Sequence, residues 1–209
     1  RALARHDFDY RIPHTDRRDE LGALARGLTD FRSSLVDRER LVLLKEQMEF
    51  AAQIQRSILP HSFNVADFAS IDAITKPAED VGGDFFDVFT LANGNAGIVV
   101  ADVADKGMGS ALFGALASSL TRATARLYND PGRVLGAVNK QLCERNEADL
   151  FVTLFYGVMD RNSGELVYSN AGHEPPLLLH RDEVSGTMQV ERTPTTQGLP
   201  LGLVPDAQF

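Results

Sequence analysis

The chain has 209 residues, a net charge of −8 at pH 7 and 44% hydrophobic residues, which is enough to build a core and unlike a disordered chain. The acidic balance argues against a duplex nucleic-acid binder, because such a protein needs a basic face to neutralise phosphates. The lone Cys143 excludes an internal disulfide and fits a reducing compartment. No apolar run approaches the roughly 20 residues of a membrane span. Because the first residue is Arg1 and no signal peptide follows, we expect the chain to be excised from a longer protein.

A single long helix is predicted for residues 17–59, a stretch of 43 residues without proline. Its apolar residues recur with the alternating three- and four-residue spacing of a coiled-coil seam. The first seam consists of Leu21, Leu24, Leu28, Phe31 and Leu35, and a second, out of register with it, of Leu41, Leu44, Met48 and Ala51. A helix of ~65 Å is too long to be packed along its whole length by one small domain. We therefore expect a homodimer through residues 17–59.

The start of this helix carries a recognisable pattern. Arg11-Ile12-Pro13 is typical of an extended connector, and Asp19-Glu20 place carboxylates at the first helical turn, where the helix dipole favours them. Together with Leu21-Gly22, these residues resemble the connector and second helix of a HAMP module, the dimeric relay beneath many bacterial membrane receptors. A generic dimerising helix would show the same seam without this start.

The resemblance implies a partial HAMP module over residues 1–36 and a coiled-coil linker helix over 37–59. It also implies that the parent is anchored in the inner membrane upstream of this chain, which would then be a cytoplasmic portion of a signalling protein.

After Pro60 the pattern changes to short strands and turns. Polar connections at 92–95 and 160–164 predict hairpins, and helices are predicted at Ser110–Tyr128 and Pro131–Arg145, the second capped by Asp130. Strands are predicted at Ile71–Thr75, Phe85–Leu91, Gly97–Val103, Phe151–Met159, Glu165–Ser169, Leu177–His180 and Met188–Val190. Hairpins that flank paired helices indicate an α+β domain over residues 60–209.

Two aspartates, Asp84 and Asp102, lie on either side of the first hairpin. Folding the chain at Asn93–Asn95 brings both carboxylates toward the same end of the sheet. Carboxylates beside glycines make a plausible site for a hard divalent cation such as Mg²⁺ or Mn²⁺. Taken singly, each aspartate is better explained as a turn or helix cap, and Asp105 could open the helix near Ser110.

Three other kinds of site can be weighed from spacing. An EF-hand loop starting at Asp102 is excluded, because Ala104 and Lys106 occupy two positions that need oxygen ligands. No phosphate-binding loop of the Gly-x-x-x-x-Gly-Lys-Ser/Thr type is present. Residues 82–86 resemble the Gly-Gly-Asp/Glu-Glu-Phe signature of diguanylate cyclases, but Phe85 replaces its metal-binding acid, which leaves the cyclase a weak second choice.

Four separated motifs resemble the SpoIIE-like branch of the metal-dependent PPM serine/threonine phosphatases. They are residues 77–87, 101–107, 170–176 and 198–202, in the family's order, within a resemblance that covers about 48–209. The resemblance implies an α-β-β-α sandwich of two antiparallel sheets flanked by helices. It also implies two Mn²⁺ or Mg²⁺ ions that activate water to hydrolyse phosphoserine or phosphothreonine. The expected substrate is a small phosphorylated regulatory protein of the anti-sigma-factor-antagonist kind.

The same resemblance distributes roles among the residues. Asp102 would bridge both ions, the Val103 carbonyl would bind one of them, and Asp84 would contribute to one site directly or through water. Asp87 is a further candidate for the metal centre. Lys76 could contact the substrate phosphate, although a solvated lysine is at least as good an explanation.

For His173 we prefer a structural role in its loop over one as general acid or metal ligand, because the family's ions are held by carboxylates. The family's later Thr-Asp-Gly strand and Asp-Asp pair do not occur before Phe209. We therefore expect a C-terminally incomplete domain that is inactive or weakly active on its own. A non-catalytic dimeric scaffold that binds a partner remains the alternative.

Overall fold

The computed structural model describes residues 11–58, 68–76, 81–144, 146–182, 186–194 and 198–209. Its chain divides into two compact units, Arg1–Phe50 and Ala51–Phe209. The described residues form three helices and six strands, in the order α1 Glu20–Ile58, β1 Phe85–Thr90, β2 Ala96–Val103, α2 Met108–Thr124, α3 Pro131–Cys143, β3 Val152–Met159, β4 Leu166–Ala171, β5 Leu177–Arg181 and β6 Met188–Arg192.

The start of α1 is fixed by a set of local contacts in the first unit. The Asp19 carboxylate accepts a hydrogen bond from the backbone N–H of Gly22 (3.1 Å) and forms an ion pair with Arg17. This ion pair and the backbone bond lower the pKa of Asp19 to about 2. Arg26 donates to the carbonyl of Arg17 (2.7 Å). A Cβ atom on Gly22 would lie 2.0 Å from that carbonyl oxygen, so the connector can fold against the helix only over a glycine.

The predicted apolar seam of α1 is largely open to solvent in the single chain. Leu21, Leu24, Phe31 and Leu41 are each more than half exposed. Helix α1 starts at Glu20, three residues later than predicted, because Asp19 acts as its cap. None of the helices in the described part of the chain combines the length and hydropathy of a membrane span.

The second unit contains a four-stranded antiparallel sheet of order β1-β2-β3-β4 and a separate antiparallel pair, β5 and β6. Both predicted hairpins are present. Leu91 N–H donates to the Asn95 carbonyl (2.9 Å) across the first turn, and Asp160 N–H donates to Glu165 (2.8 Å) across the second. No strand forms at the predicted Ile71–Thr75, where residues 71–75 are irregular.

Helices α2 and α3 pack on one face of the four-stranded sheet, and the main core lies between this face and the two helices. It is formed by Phe113, Ala117, Val134, Leu135 and Val138 against Val103, Leu154 and Tyr156, among others. Helix α3 is capped as predicted, with Asp130 accepting from Arg133 N–H (2.8 Å). Helix α2 begins at Met108 behind Gly107, whose φ of 86° only glycine adopts easily. Asp105 is therefore not its cap, and the helix ends at Thr124 rather than Tyr128.

The segment after residue 197 returns to the start of β3. Leu201 and Val152 exchange two backbone hydrogen bonds of 2.9 and 3.0 Å. The fully buried Asn139 of α3 accepts from Gly202 N–H (2.9 Å) and donates to the carbonyl of Val204 (2.7 Å). These contacts hold the Gly-Leu-Pro-Leu-Gly motif beside the strand that pairs with β2. The predicted α+β class, with two antiparallel sheets and helices, is confirmed.

Candidate metal centre

The register of the first hairpin places Asp84 beside Asp102. Phe85 pairs with Ala101, so the residue before β1 comes to lie next to the residue after Ala101. The two carboxyl groups are close enough to share a hydrogen bond. Partial burial raises the pKa of Asp102, and the neighbouring Asp84 raises it further through its charge and that hydrogen bond. The structure thus brings together the two aspartates that the sequence singled out.

The backbone of Val103 forms the next part of this site. Its N–H donates to the Gly83 carbonyl (3.4 Å), and a Cβ atom on Gly83 would lie 2.6 Å from the Val103 carbonyl oxygen. Glycine at position 83 therefore allows the turn before β1 to touch the end of β2. The Val103 carbonyl faces the residue next to Asp84, so three candidate oxygen donors lie in one small region.

Both aspartates lie on the sheet face opposite helices α2 and α3. Side chains alternate along a strand, and Ala101 and Val103 point into the core between the sheet and the helices. Asp102 therefore points the other way, together with Thr153, its cross-strand neighbour on β3. The candidate site belongs to the face that the helices leave free.

A threonine and a histidine support this site from β3 and the loop after β4. Thr153 Oγ1 donates to the backbone carbonyl of Asp102 (3.3 Å) and lies 2.9 Å from Nδ1 of His173. Burial lowers the pKa of His173, whereas the charges of Asp102 and Asp84 raise it, which places the imidazole within electrostatic reach of both. The backbone of His173 is held by both ends of the Asn170 amide, at 2.7 and 2.8 Å. Sequence reasoning missed Thr153, because a lone threonine inside a strand belongs to no motif.

Asp87 is not brought to the aspartate pair. It lies on β1 at the same alternation as Phe85 and Phe89, on the helix side of the sheet, and its side chain is buried. Its two carboxylate oxygens accept hydrogen bonds from Nε (2.8 Å) and Nη2 of Arg122 on α2. The guanidinium of Arg122 also stacks 5.0 Å from the ring centre of Phe89. We therefore leave Asp87 out of the proposed ligand set.

Lys76 is exposed in the irregular segment 68–76, and its contact with a substrate stays a prediction. In the described part of the chain, no group of three or more His, Cys, Asp or Glu side chains is placed to hold a metal ion. The donors at hand are two carboxylates and one carbonyl. Their oxygen chemistry fits Mg²⁺ or Mn²⁺, whose remaining positions are commonly filled by water or by substrate phosphates.

The fold defines the class of protein. The chain is similar to the solved structure of the SiaA-PP2C domain of Pseudomonas aeruginosa, with a TM-score of 0.64, 23% identity, and coverage of 78% of this chain and 64% of that one. At this identity the likeness establishes the fold, which is that of a PP2C-type domain.

The family is established by sequence. Residues 92–209 match the family described as Stage II sporulation protein E (SpoIIE), and residues 1–37 match the HAMP domain. Since the first match takes in more than half of the chain, the protein belongs to the SpoIIE family. Both predicted resemblances are confirmed. The diguanylate-cyclase alternative finds no support, since Phe85 is a buried core residue.

Two curated relatives extend the comparison. Protein IcfG of Synechocystis is 28% identical over 242 residues, covering all of this chain and 37% of that protein. Phosphoserine phosphatase RsbU of Bacillus subtilis is 28% identical over 132 residues, covering 63% of this chain and 39% of that protein. The chain thus spans less than half the length of either relative.

Proposed function

We propose that this chain carries part of a metal-dependent PPM-type phosphatase that removes phosphate from serine or threonine of a small regulatory protein in bacterial signalling. The observation that carries the proposal is the pairing of Asp84 with Asp102 on the free face of the sheet. Membership of the SpoIIE family supports it, as does the name of the relative RsbU, a phosphoserine phosphatase.

Asp84, Asp102 and the Val103 carbonyl would hold Mn²⁺ or Mg²⁺, two ions in a complete domain. Bound cations of this kind lower the pKa of water and neutralise charge on a transferring phosphoryl group. The two carboxylates concentrate negative charge at one point, which would attract the cation. The bound cation would in turn reverse the local field, which explains how an acidic domain could accept a phosphorylated substrate. Thr153 holds the backbone of Asp102 in place through its hydroxyl. Lys76 remains our candidate for the substrate phosphate.

We further propose that α1 joins two copies of the protein. The exposed leucines of its seam would be buried in a coiled coil, and the HAMP match fits a relay that acts as a dimer downstream of a membrane anchor in the parent protein. Sedimentation at increasing concentration tests this. Leu24→Asp and Leu28→Asp should each lower the apparent mass, and a mass that stays monomeric in the unaltered chain would refute the proposal.

A non-catalytic scaffold is the second candidate. It is favoured by one observation, that only two carboxylates and no group of three acidic or histidine side chains converge in the described residues. A scaffold would bind its partner without Mn²⁺ and without turnover, which separates it from the enzyme.

The decisive experiment measures Mn²⁺-dependent phosphate release from a phosphoserine protein. We expect phosphate release that depends on Mn²⁺. Asp102→Asn should lower the rate at least ~100-fold, since a ligand of the proposed metal centre would be lost. Asp149→Asn, at an exposed left-handed position that asparagine tolerates, is the matched control. No Mn²⁺-dependent release would favour the scaffold, and a rate that Asp102→Asn leaves unchanged would refute the role proposed for Asp102.

A further inference from the structure

A reciprocal pair of hydrogen bonds joins the last turns of α1 to the turn before β1. The side-chain amide of Gln55 donates through Nε2 to the carbonyl of Gly82 (2.5 Å). Its Oε1 accepts from the N–H of the same glycine (3.3 Å). Both residues belong to the second unit and are partly buried. One side chain therefore satisfies both backbone polar groups of one residue, as a neighbouring strand would.

The residues around Gly82 show why such an anchor matters. Val81, before it, is buried with 2% of its surface exposed. Gly83, after it, accepts a backbone hydrogen bond from Val103. Asp84 follows at once. Two consecutive glycines have more backbone freedom than any other pair of residues, so this turn takes one shape only when its backbone is bound from outside.

The turn is therefore held at Gly82 by the side chain of Gln55 on helix α1, and at Gly83 by the backbone of Val103, which belongs to the sheet that carries Asp102. Only Gly83 lies between Gly82 and Asp84 in the chain. If the backbone of Gly82 were free to rotate, Asp84 could therefore move relative to Asp102. The gap between the two carboxylates is the quantity on which binding of one cation by both depends.

We propose that Gln55 is a positioning residue for Asp84: it fixes Gly82 and thereby the gap between the Asp84 and Asp102 carboxylates. Gln55 does not touch the cation or the substrate. Because both of its bonds arise from one side chain on α1, a rotation of that helix about its axis breaks both together, which gives the helix a direct physical connection to the candidate metal centre. The expected effect on Mn²⁺ binding rests on the proposed function, whereas the expected effect on the backbone of Gly82 does not.

The test uses Gln55→Met, which keeps the side-chain length and the helix propensity while removing both hydrogen bonds. The matched control is Gln53→Met, at an exposed position two residues earlier on the same helix. Amide hydrogen exchange of Gly82 and Gly83 is followed by NMR in the metal-free protein. Mn²⁺ affinity is measured on the folded protein, without denaturant, from the electron paramagnetic resonance signal of the free ion.

We expect Gln55→Met to speed exchange at Gly82 about tenfold or more and to weaken Mn²⁺ binding about 5- to 30-fold, the effect of losing two ordinary hydrogen bonds from an ordered turn. Gln53→Met should change neither. Unchanged exchange at Gly82, or the same Mn²⁺ affinity as the control, overturns the inference, and a loss of global stability alone does not rescue it. If the unaltered chain binds no Mn²⁺, the proposed metal centre fails, whereas exchange at Gly82 still decides whether Gln55 fixes the turn.

Discussion

Removing the charge of Asp87 and removing that of Asp102 should change stability in opposite directions. Asp87 is buried and held by two hydrogen bonds from Arg122. Breaking a fully buried ion pair from one side costs about 3–5 kcal/mol, but the Arg122 side chain is 43% exposed, so water can solvate the charge that is left. Asn also keeps one acceptor oxygen. We therefore expect Asp87→Asn to lower the free energy of unfolding by about 2 kcal/mol.

Asp102 has the opposite environment in the metal-free protein. Partial burial and the neighbouring Asp84 raise its pKa, which means that its ionised form is less favourable in the folded state than in the unfolded chain. The folded protein accordingly loses stability as the pH rises through this pKa. Asp102→Asn removes the repulsion and should raise the free energy of unfolding at pH 7 by about 0.5–1 kcal/mol, the range for pairs that solvent partly screens. The gain should shrink toward pH 4.

Urea unfolding in the presence of a chelator measures both effects, and Mn²⁺ titration of the same samples separates stability from binding. We expect Asp87→Asn to keep its Mn²⁺ affinity and Asp102→Asn to lose it. A stable Asp87→Asn that binds Mn²⁺ poorly would show that Asp87 is a ligand after all. A destabilised Asp102→Asn would show that the two carboxylates do not repel each other in the folded protein.

Two further substitutions test the core. The Tyr156 hydroxyl is buried without a hydrogen-bond partner among the described residues, and burial raises the pKa of Tyr156 to about 12. The free energy of unfolding of Tyr156→Phe at pH 7 should therefore equal that of the unaltered chain or exceed it by up to about 1 kcal/mol. The difference in urea midpoint should be larger at pH 11, because the protein with the buried tyrosine loses stability between pH 10 and 12. Asn139→Leu should cost about 3 kcal/mol, since it leaves Gly202 N–H and the Val204 carbonyl without their partner; a urea midpoint close to that of the unaltered chain would contradict this.

The hairpin pattern predicted that Asp84 and Asp102 lie close together, because it acts over a short distance along the chain. The polar turn at 92–95 and the alternation on both sides of it determine the register, and the register alone places Asp84 beside Asp102. The cap Asp130 and the proline after it likewise mark the start of α3 through contacts within one helical turn. For such features, the sequence window contains all the interacting groups.

Features that depend on distant partners could not be predicted in this way. Asp87 stands three residues after Asp84 in one motif, yet it faces the opposite side of the sheet, and its partner Arg122 is 35 residues away. The bond from Gln55 to Gly82 spans 27 residues and has no local signature. Residues 71–75 have the β-branched composition of a strand but no neighbour to pair with in the described chain, and Ile74 is 91% exposed.

The two aspartates of the candidate metal centre stand on backbone of different rigidity. Strand β2 pairs with β3 along its whole length, Asp102 and Val103 included, so these two residues stand on backbone that opens only when the sheet itself comes apart. Asp84 stands instead on a glycine turn just outside β1. Tuning of cation affinity, whether by an upstream stimulus or by a protein engineer, would then act most easily on the turn, with the strand serving as the fixed reference.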